Sequence, residues 1–107
     1  MIISTTSEIP KREVLQILGI AKGSTVRARN IGRDLFAGIK NIIGGELSEY
    51  TKLQSDSRDQ ALQRMIDDAN KLNADAIVNV RLTSATILDG CAEVLAYGTA
   101  VKLKNND

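Results

Sequence analysis

Arginine, aspartate and tyrosine side chains at four places along the chain are the candidates for a ligand-binding site: Arg33, Asp34, Tyr50, Asp75 and Arg81. An Arg-Asp pair at the start of a helix, with a hydroxyl and a carboxylate on neighbouring elements, offers charged hydrogen-bond partners to a small polar ligand in a cleft between subunits. The alternative is structural: Arg33 pairs with a carboxylate, and Asp34 stabilises the positive end of a helix dipole. The sequence leaves both interpretations open.

The chain contains no recognisable catalytic centre. Histidine is absent, which excludes from this chain a Ser-His-Asp triad, a histidine general base and a histidine-ligated zinc. Asp67 and Asp68 are adjacent on a predicted helix and point in different directions, so they cannot act as a carboxylate pair. We therefore expect a protein that is not an enzyme. An enzyme built from arginine and carboxylate groups at a subunit interface is the alternative.

The soft-metal donors of the chain are one cysteine, Cys91, and two methionines, Met1 and Met65. Soft metals prefer thiolate and imidazole ligands, so Cys91 could act if a ring brought several copies together on its axis. The alternative is a small packed thiol beside a turn. The acidic residues that could bind a harder cation, or simply form a solvated helix face, are Glu46, Glu49, Asp56 and Asp59. We assign no metal ligand and no cofactor from these residues.

Charge and composition restrict the class of partner. The 107 residues carry 14 Lys and Arg against 13 Asp and Glu, with the two signs interleaved. Nucleic-acid binding usually needs a basic stripe that neutralises phosphates, so we expect no nucleic-acid partner. No apolar run approaches the roughly 18 residues of a membrane span. A single cysteine forms no internal disulfide, which fits a reducing cytoplasm, and the length is typical of one domain, residues 1–107.

Strands are predicted at the beginning of the chain. Ile2–Ile3 begins a short strand, and the apolar run Val14–Ala21 predicts a longer one. Lys22–Gly23 indicates a turn. The alternation from Ser24 to Asn30 then predicts a further strand.

Strands are predicted again in the last third. One begins at Ala76, and another covers residues 92–103. Asp89–Gly90 between them is a hairpin signal. Gly98 lies inside the final strand and indicates a bulge or a close backbone approach.

Two helices are predicted in the middle of the chain. The apolar residues of the first follow one helical face: Leu35, Phe36, Ile39, Ile42 and Ile43. This short helix ends at Gly44–Gly45. A longer helix begins at the N-cap Ser48 and ends at Asn73, which tolerates the left-handed cap conformation. The fold class is therefore α+β, a small antiparallel sheet with two consecutive helices, short then long, between its strands.

Both faces of the last predicted strand are apolar. Leu95, Tyr97, Val101 and Leu103 point one way, and Ala92, Val94, Ala96 and Ala100 point the other. An antiparallel sheet with one solvated face alternates apolar and polar residues. The helices cover one face, so something else must cover the second. A second copy of the chain is the expected cover; a closed barrel whose interior takes one face is the alternative.

The chain resembles the YbjQ-like family, which also carries a heavy-metal-binding label. The resemblance runs from Ile2 to Leu103 and rests on these segments: Asn30, Arg33-Asp34, Gly44-Gly45, Tyr50, Ala74-Asp75-Ala76, Val80-Arg81 and Ala96-Tyr97-Gly98-Thr99-Ala100-Val101. It implies a dodecin-like subunit that forms a ring, a homopentamer. The family supplies no established activity. The resemblance and the strands with two apolar faces together lead us to expect a cytoplasmic ring that binds a small ligand or ion between subunits. Heavy-metal binding is the alternative.

Overall fold

The computed structural model describes residues 1–27, 48–88 and 91–105. In these ranges the chain forms five elements: β1 (Ile2–Ile3), β2 (Val14–Arg27), α1 (Ser48–Lys71), β3 (Ala76–Leu88) and β4 (Cys91–Leu103). The predicted short helix, its Gly44–Gly45 stop and the Asp89–Gly90 turn lie outside the described residues. So do Arg33 and Asp34.

The four strands form one mixed sheet in the order β1-β3-β4-β2. β4 is antiparallel to both of its neighbours, but β1 runs parallel to β3. The prediction of an antiparallel sheet is therefore wrong at this edge. β1 is separated from β3 by β2 and α1, and a connection of that length permits a parallel pair. The Ser4 amide donates to the Ile77 carbonyl at 2.9 Å and extends the pairing past the end of β1.

β2 is continuous through the predicted turn at Lys22–Gly23, so the prediction of two strands separated by a turn is wrong. Gly23 serves a different purpose, because the backbone of α1 lies directly on it. A Cβ atom at Gly23 would lie 2.7 Å from the carbonyl carbon of Arg64 and closer still to backbone atoms of Ala61 and Met65. Glycine is needed here so that the helix can approach the strand.

The predicted end of the long helix is confirmed, whereas the N-cap role of Ser48 stays a prediction because the residues before it lie outside the described ones. α1 begins at Ser48 and ends at Lys71, and Asn73 adopts a left-handed φ of 58°. The Asn73 amide donates to the Asn70 carbonyl at 3.0 Å, and the Ala74 amide donates to the Ala69 carbonyl at 3.2 Å. These two bonds form a Schellman motif, which satisfies carbonyls at the helix end.

The expected close approach at Gly98 is also confirmed. A Cβ atom there would lie 2.6 Å from Cγ2 of Ile77 and 3.0 Å from the carbonyl oxygen of Val78. The facing strand β3 has an irregular register between Val78 and Arg81. Within that irregularity Asn79 adopts a φ of 54°. The missing side chain of Gly98 therefore makes room for the bulge in β3.

Both faces of the sheet carry buried apolar residues, as predicted. The cluster under α1 consists of Ala21, Ala61, Met65, Ala69, Ile77, Val80, Ala96 and Ala100. A smaller cluster on the opposite side consists of Ala76, Val78, Val101 and Leu103, with Ile9 and Val14 packed against it. The closed-barrel alternative is wrong, because β1 and β2 form the two edges of an open sheet in the part of the chain that the structure describes.

Replacing Gly23 should weaken the fold. In Gly23→Ala the added methyl meets the backbone of α1 rather than a movable side chain, and overpacking of this kind costs about 1–3 kcal/mol. Urea unfolding followed by circular dichroism measures the loss. Ser24→Ala is the matched control, because the Ser24 side chain lies on the other side of the strand, and its change should stay below about 0.5 kcal/mol. Equal midpoints for Gly23→Ala and the wild type would contradict the close approach.

Candidate functional site

The residues predicted to form a ligand site are widely separated within one chain. Tyr50 is the third residue of α1, whereas Asp75 follows the opposite end of that helix. A helix of 24 residues is about 36 Å long, so the two positions lie on the order of 30 Å apart. Arg33 and Asp34 lie outside the described residues. A site that contains Tyr50 and Asp75 would therefore have to combine residues of different copies, and it stays a prediction.

Asp75 is a link between strands. Its carboxylate Oδ2 accepts the Leu103 amide at 2.9 Å, and Oδ1 lies 3.4 Å from Nζ of Lys102. The Asp75 amide in turn donates to the Val101 carbonyl at 2.9 Å. The hydrogen bond from the Leu103 amide, helped by the Lys102 charge, lowers the pKa of Asp75, although partial desolvation acts in the opposite direction. Asp75 thus fixes the start of β3 against the end of β4.

Arg81 holds the N-terminal segment to the sheet. Its Nη1 donates to the Thr5 carbonyl at 2.9 Å and to the Val80 carbonyl at 2.8 Å. Arg81 lies six residues beyond Asp75 in β3, which corresponds to roughly 18 Å along a strand. The two predicted site residues that the structure fully describes are therefore not neighbours.

Several exposed apolar side chains lie on the side of the sheet opposite α1, which we call the open face. On β2 it carries Ile17, Ile20 and Val26, which are 70%, 72% and 55% exposed. Tyr97 of β4, 40% exposed, continues the same side. The cluster of Val101 and Leu103 covers only one end of this face.

The sequence of β2 contains a pattern of side-chain sizes that indicates the open face. Small side chains alternate with larger ones there: Ala21 and Gly23 face α1, while Ile20 and Lys22 face away from it. An alternation of small and large residues indicates a helix packed closely on one side and free side chains on the other. The predicted turn at Gly23 concealed this pattern.

The outer edge of β2 is occupied by side chains of α1. The carboxylate of Asp68 accepts the Lys22 amide at 3.0 Å, and Nη1 of Arg64 donates to the Ser24 carbonyl. These backbone groups would otherwise be offered to the strand of another molecule, since an edge strand presents unpaired donors and acceptors. Helix α1 therefore blocks the edge of β2 at these two residues and leaves the open face uncovered.

A shallow cavity of about 1110 Å³ lies at one end of the sheet, between the loop of residues 6–14 and residues Lys104 and Asn105. Charges of opposite sign line this cavity and form an ion pair, with Nζ of Lys104 3.9 Å from a carboxylate oxygen of Glu13. Nε of Arg12 donates to the Lys104 carbonyl at 3.2 Å. These contacts join the loop to the C-terminal segment.

Among the side chains that the structure describes, no three Cys, Asp or Glu groups lie close enough together to hold a metal ion. No helix in the described part of the chain combines the length and apolar character needed to cross a membrane.

Comparison with known proteins supports the predicted resemblance. The YbjQ family model, described as "Putative heavy-metal-binding", matches residues 1–104. A "UPF0145 protein" of Archaeoglobus fulgidus is 56% identical over 104 residues, which cover 97% of this chain and 96% of that protein. A "UPF0145 protein" of Halorubrum lacusprofundi is 53% identical over 104 residues, 97% of this chain and 100% of that protein.

A solved structure shares the fold. It is the crystal structure of a protein of unknown function from Pediococcus pentosaceus, assigned to the DUF74 family. The TM-score is 0.65 over 97% of this chain and 98% of that one, at 16% sequence identity. At this identity the likeness concerns the fold alone.

The Asp75 link should make stability depend on pH. The pKa of Asp75 is lowered in the folded chain, so its contribution is present at neutral pH and is lost as the pH falls below about 4 towards the folded pKa. The melting temperature of Asp75→Asn should therefore be lower than that of the wild type at pH 7, and the difference should shrink at low pH. A difference that does not change between pH 7 and pH 3 would contradict this link. Asp59→Asn, on the exposed side of α1, is the control.

Proposed function

This chain belongs to the YbjQ-like family, and on that premise we propose that it is a self-assembling binding protein. Copies associate through the open face into a ring, a homopentamer, and a small ligand or ion is bound where they meet. The observation that carries the proposal is the large apolar exposure of Ile17 and Ile20 on the face that α1 does not cover. Apolar patches of this kind usually mark interaction sites.

A second copy of the chain is the partner that the open face fits. The face carries charges of both signs, since Lys22 and Glu93 lie on the same side of the sheet. Ile20 and Val26 supply the apolar area of the contact, and Lys22 stays available to a ligand bound there. In a ring the contact is head-to-tail, so the open face of one copy packs against a different surface of the next copy.

The blocked edge of β2 supports a contact through the face. Strand-to-strand addition at Lys22 and Ser24 would require Asp68 and Arg64 to release their backbone partners. A contact through the open face leaves both hydrogen bonds intact. We therefore place the interface on the side chains of β2 and β4 rather than on the backbone of β2.

A charge on the open face should dissociate the assembly. Ile20→Glu buries a carboxylate at the interface, which is unfavourable without a partner, so sedimentation velocity should show a shift from the oligomer towards the monomer. Asn70→Glu adds the same charge at an exposed position of α1 and should leave the sedimentation coefficient unchanged. Native mass spectrometry of the wild type gives the number of copies. A wild-type chain that is monomeric at micromolar concentration would overturn the proposal.

Heavy-metal binding is the second candidate, and it rests on the description of the family model. Of the soft donors of one chain, Met65 is completely buried in the core under α1 and is not accessible to an ion from solvent. We therefore derive no reaction step through a metal, and we place any such ion between copies of the chain.

Titration calorimetry decides between the two candidates. Cu(I), Zn(II) and Ni(II) should each give no saturable heat with the wild-type oligomer if the ligand is organic. Saturable binding of one of these metals, lost in Cys91→Ser and retained in Met1→Leu, would instead establish metal binding through the single cysteine of each chain. Sedimentation of both variants shows whether assembly is retained.

A further inference from the structure

A row of three side chains crosses the middle of the open face, one from each of three adjacent strands. Lys22 of β2 pairs with Tyr97 of β4, and Tyr97 pairs with Arg81 of β3. All three lie on the side away from α1, because their neighbours Ala21, Val80 and Ala96 belong to the cluster under the helix. We call Lys22, Tyr97 and Arg81 the central row.

The central row places an aromatic ring between two positive charges. Adjacent strands lie about 4.8 Å apart, so Lys22 and Arg81 are separated by about 10 Å with Tyr97 between them. Tyr97 is 40% exposed, which leaves part of its ring open to a ligand.

The two cations of the row differ in their freedom. The Arg81 guanidinium is fixed by the Thr5 and Val80 carbonyls, which occupy Nη1. No side chain or backbone group that the structure describes forms a hydrogen bond or ion pair with the ammonium group of Lys22. The backbone amide of Lys22 is bonded to Asp68, but that carboxylate approaches from the edge of the strand. Lys22 is therefore able to bind an incoming anion.

On the open face, the acidic residue of β4 nearest to Tyr97 in the chain is Glu93, and it is distant from the central row. Glu93 lies four residues from Tyr97 on the same side of the strand, which corresponds to about 13 Å. Asp75 lies at the other end of β3 and is bonded to Lys102 and Leu103. The middle of the open face thus carries the positive side chains of Lys22 and Arg81, and the Asp68 carboxylate lies beside Lys22 at the edge of β2.

We propose that the central row binds a small anion that carries a planar ring, with the ring stacked on Tyr97 and the phosphate or carboxylate held by Lys22. Aromatic side chains bind planar rings by stacking, and cations next to them bind the attached anionic group. This proposal names the class of ligand for the binding function proposed above and rests on that function. A ligand stacked on Tyr97 lies on the open face, through which copies of the chain associate. The ligand is therefore bound at the contact between copies.

Equilibrium dialysis with adenosine monophosphate and with benzoate tests the proposal and distinguishes a phosphate from a carboxylate ligand. At least one of these probes should bind saturably at millimolar concentration or below. Adenosine lacks the phosphate that Lys22 would hold, and inorganic phosphate lacks the planar ring that would stack on Tyr97. If adenosine monophosphate binds, each of these two probes should bind about tenfold or more weakly. Failure of both probes to bind would overturn the proposal.

Matched variants locate the site. Lys22→Gln and Tyr97→Leu should each weaken binding about tenfold or more, whereas Tyr97→Phe keeps the ring and should bind within about threefold of the wild type. Lys71→Gln removes one positive charge at the exposed end of α1 and should leave binding unchanged. Equal affinities of Lys22→Gln and Lys71→Gln would overturn the assignment to the central row, even if Tyr97→Leu failed to fold.

Sedimentation velocity on the same samples separates this proposal from the proposed assembly. An oligomer that binds neither probe would remove the ligand class but keep the assembly. A monomer that binds a probe through Lys22 and Tyr97 would keep the central row and remove the assembly.

Discussion

The closeness of α1 to the sheet determines the rest of the structure. The helix backbone lies on Gly23, and the side chains beneath it are small, including Ala21, Ala96 and Ala100. Because the helix is so near, Asp68 and Arg64 reach around the edge of β2 and bind its backbone. The same close packing uses the small residues on one side of the strands. The large apolar side chains of Ile17, Ile20 and Val26 in β2 lie on the other side, where this helix does not cover them.

The parts of the fold that could be predicted from sequence depend on local chemistry. Asn73 marks the end of α1 because cap residues act within one helical turn. Gly98 indicated a close approach because a glycine inside a strand has few other purposes. Gly23 was misread as a turn, since a turn and a helix contact both favour glycine and only the tertiary structure distinguishes them. The parallel β1–β3 pair depends on residues more than 70 positions apart, such as Ile2 and Ala76, and carries no local signal.

The candidate site shows the same limit. Residue type identified Asp75 and Arg81 as able to bind charged groups, and the structure shows both of them bonded to backbone atoms of this chain. Residue type alone cannot separate a carboxylate that binds a ligand from one that joins two strands. The central row was not found from sequence, because its members are far apart in the chain and become neighbours only through the register of β2, β3 and β4.

Core and binding surface are encoded on alternate residues of the same strands. In β2, Ala21 and Gly23 must remain small for α1 to fit, while Lys22 between them faces away from the helix and is free of that restriction. In β4, Ala96 is buried and its neighbour Tyr97 is exposed. A change of side chain on the open face therefore alters what the sheet can bind without changing how the helix packs. One helix packed closely on one face can thus support different partners or ligands on the other.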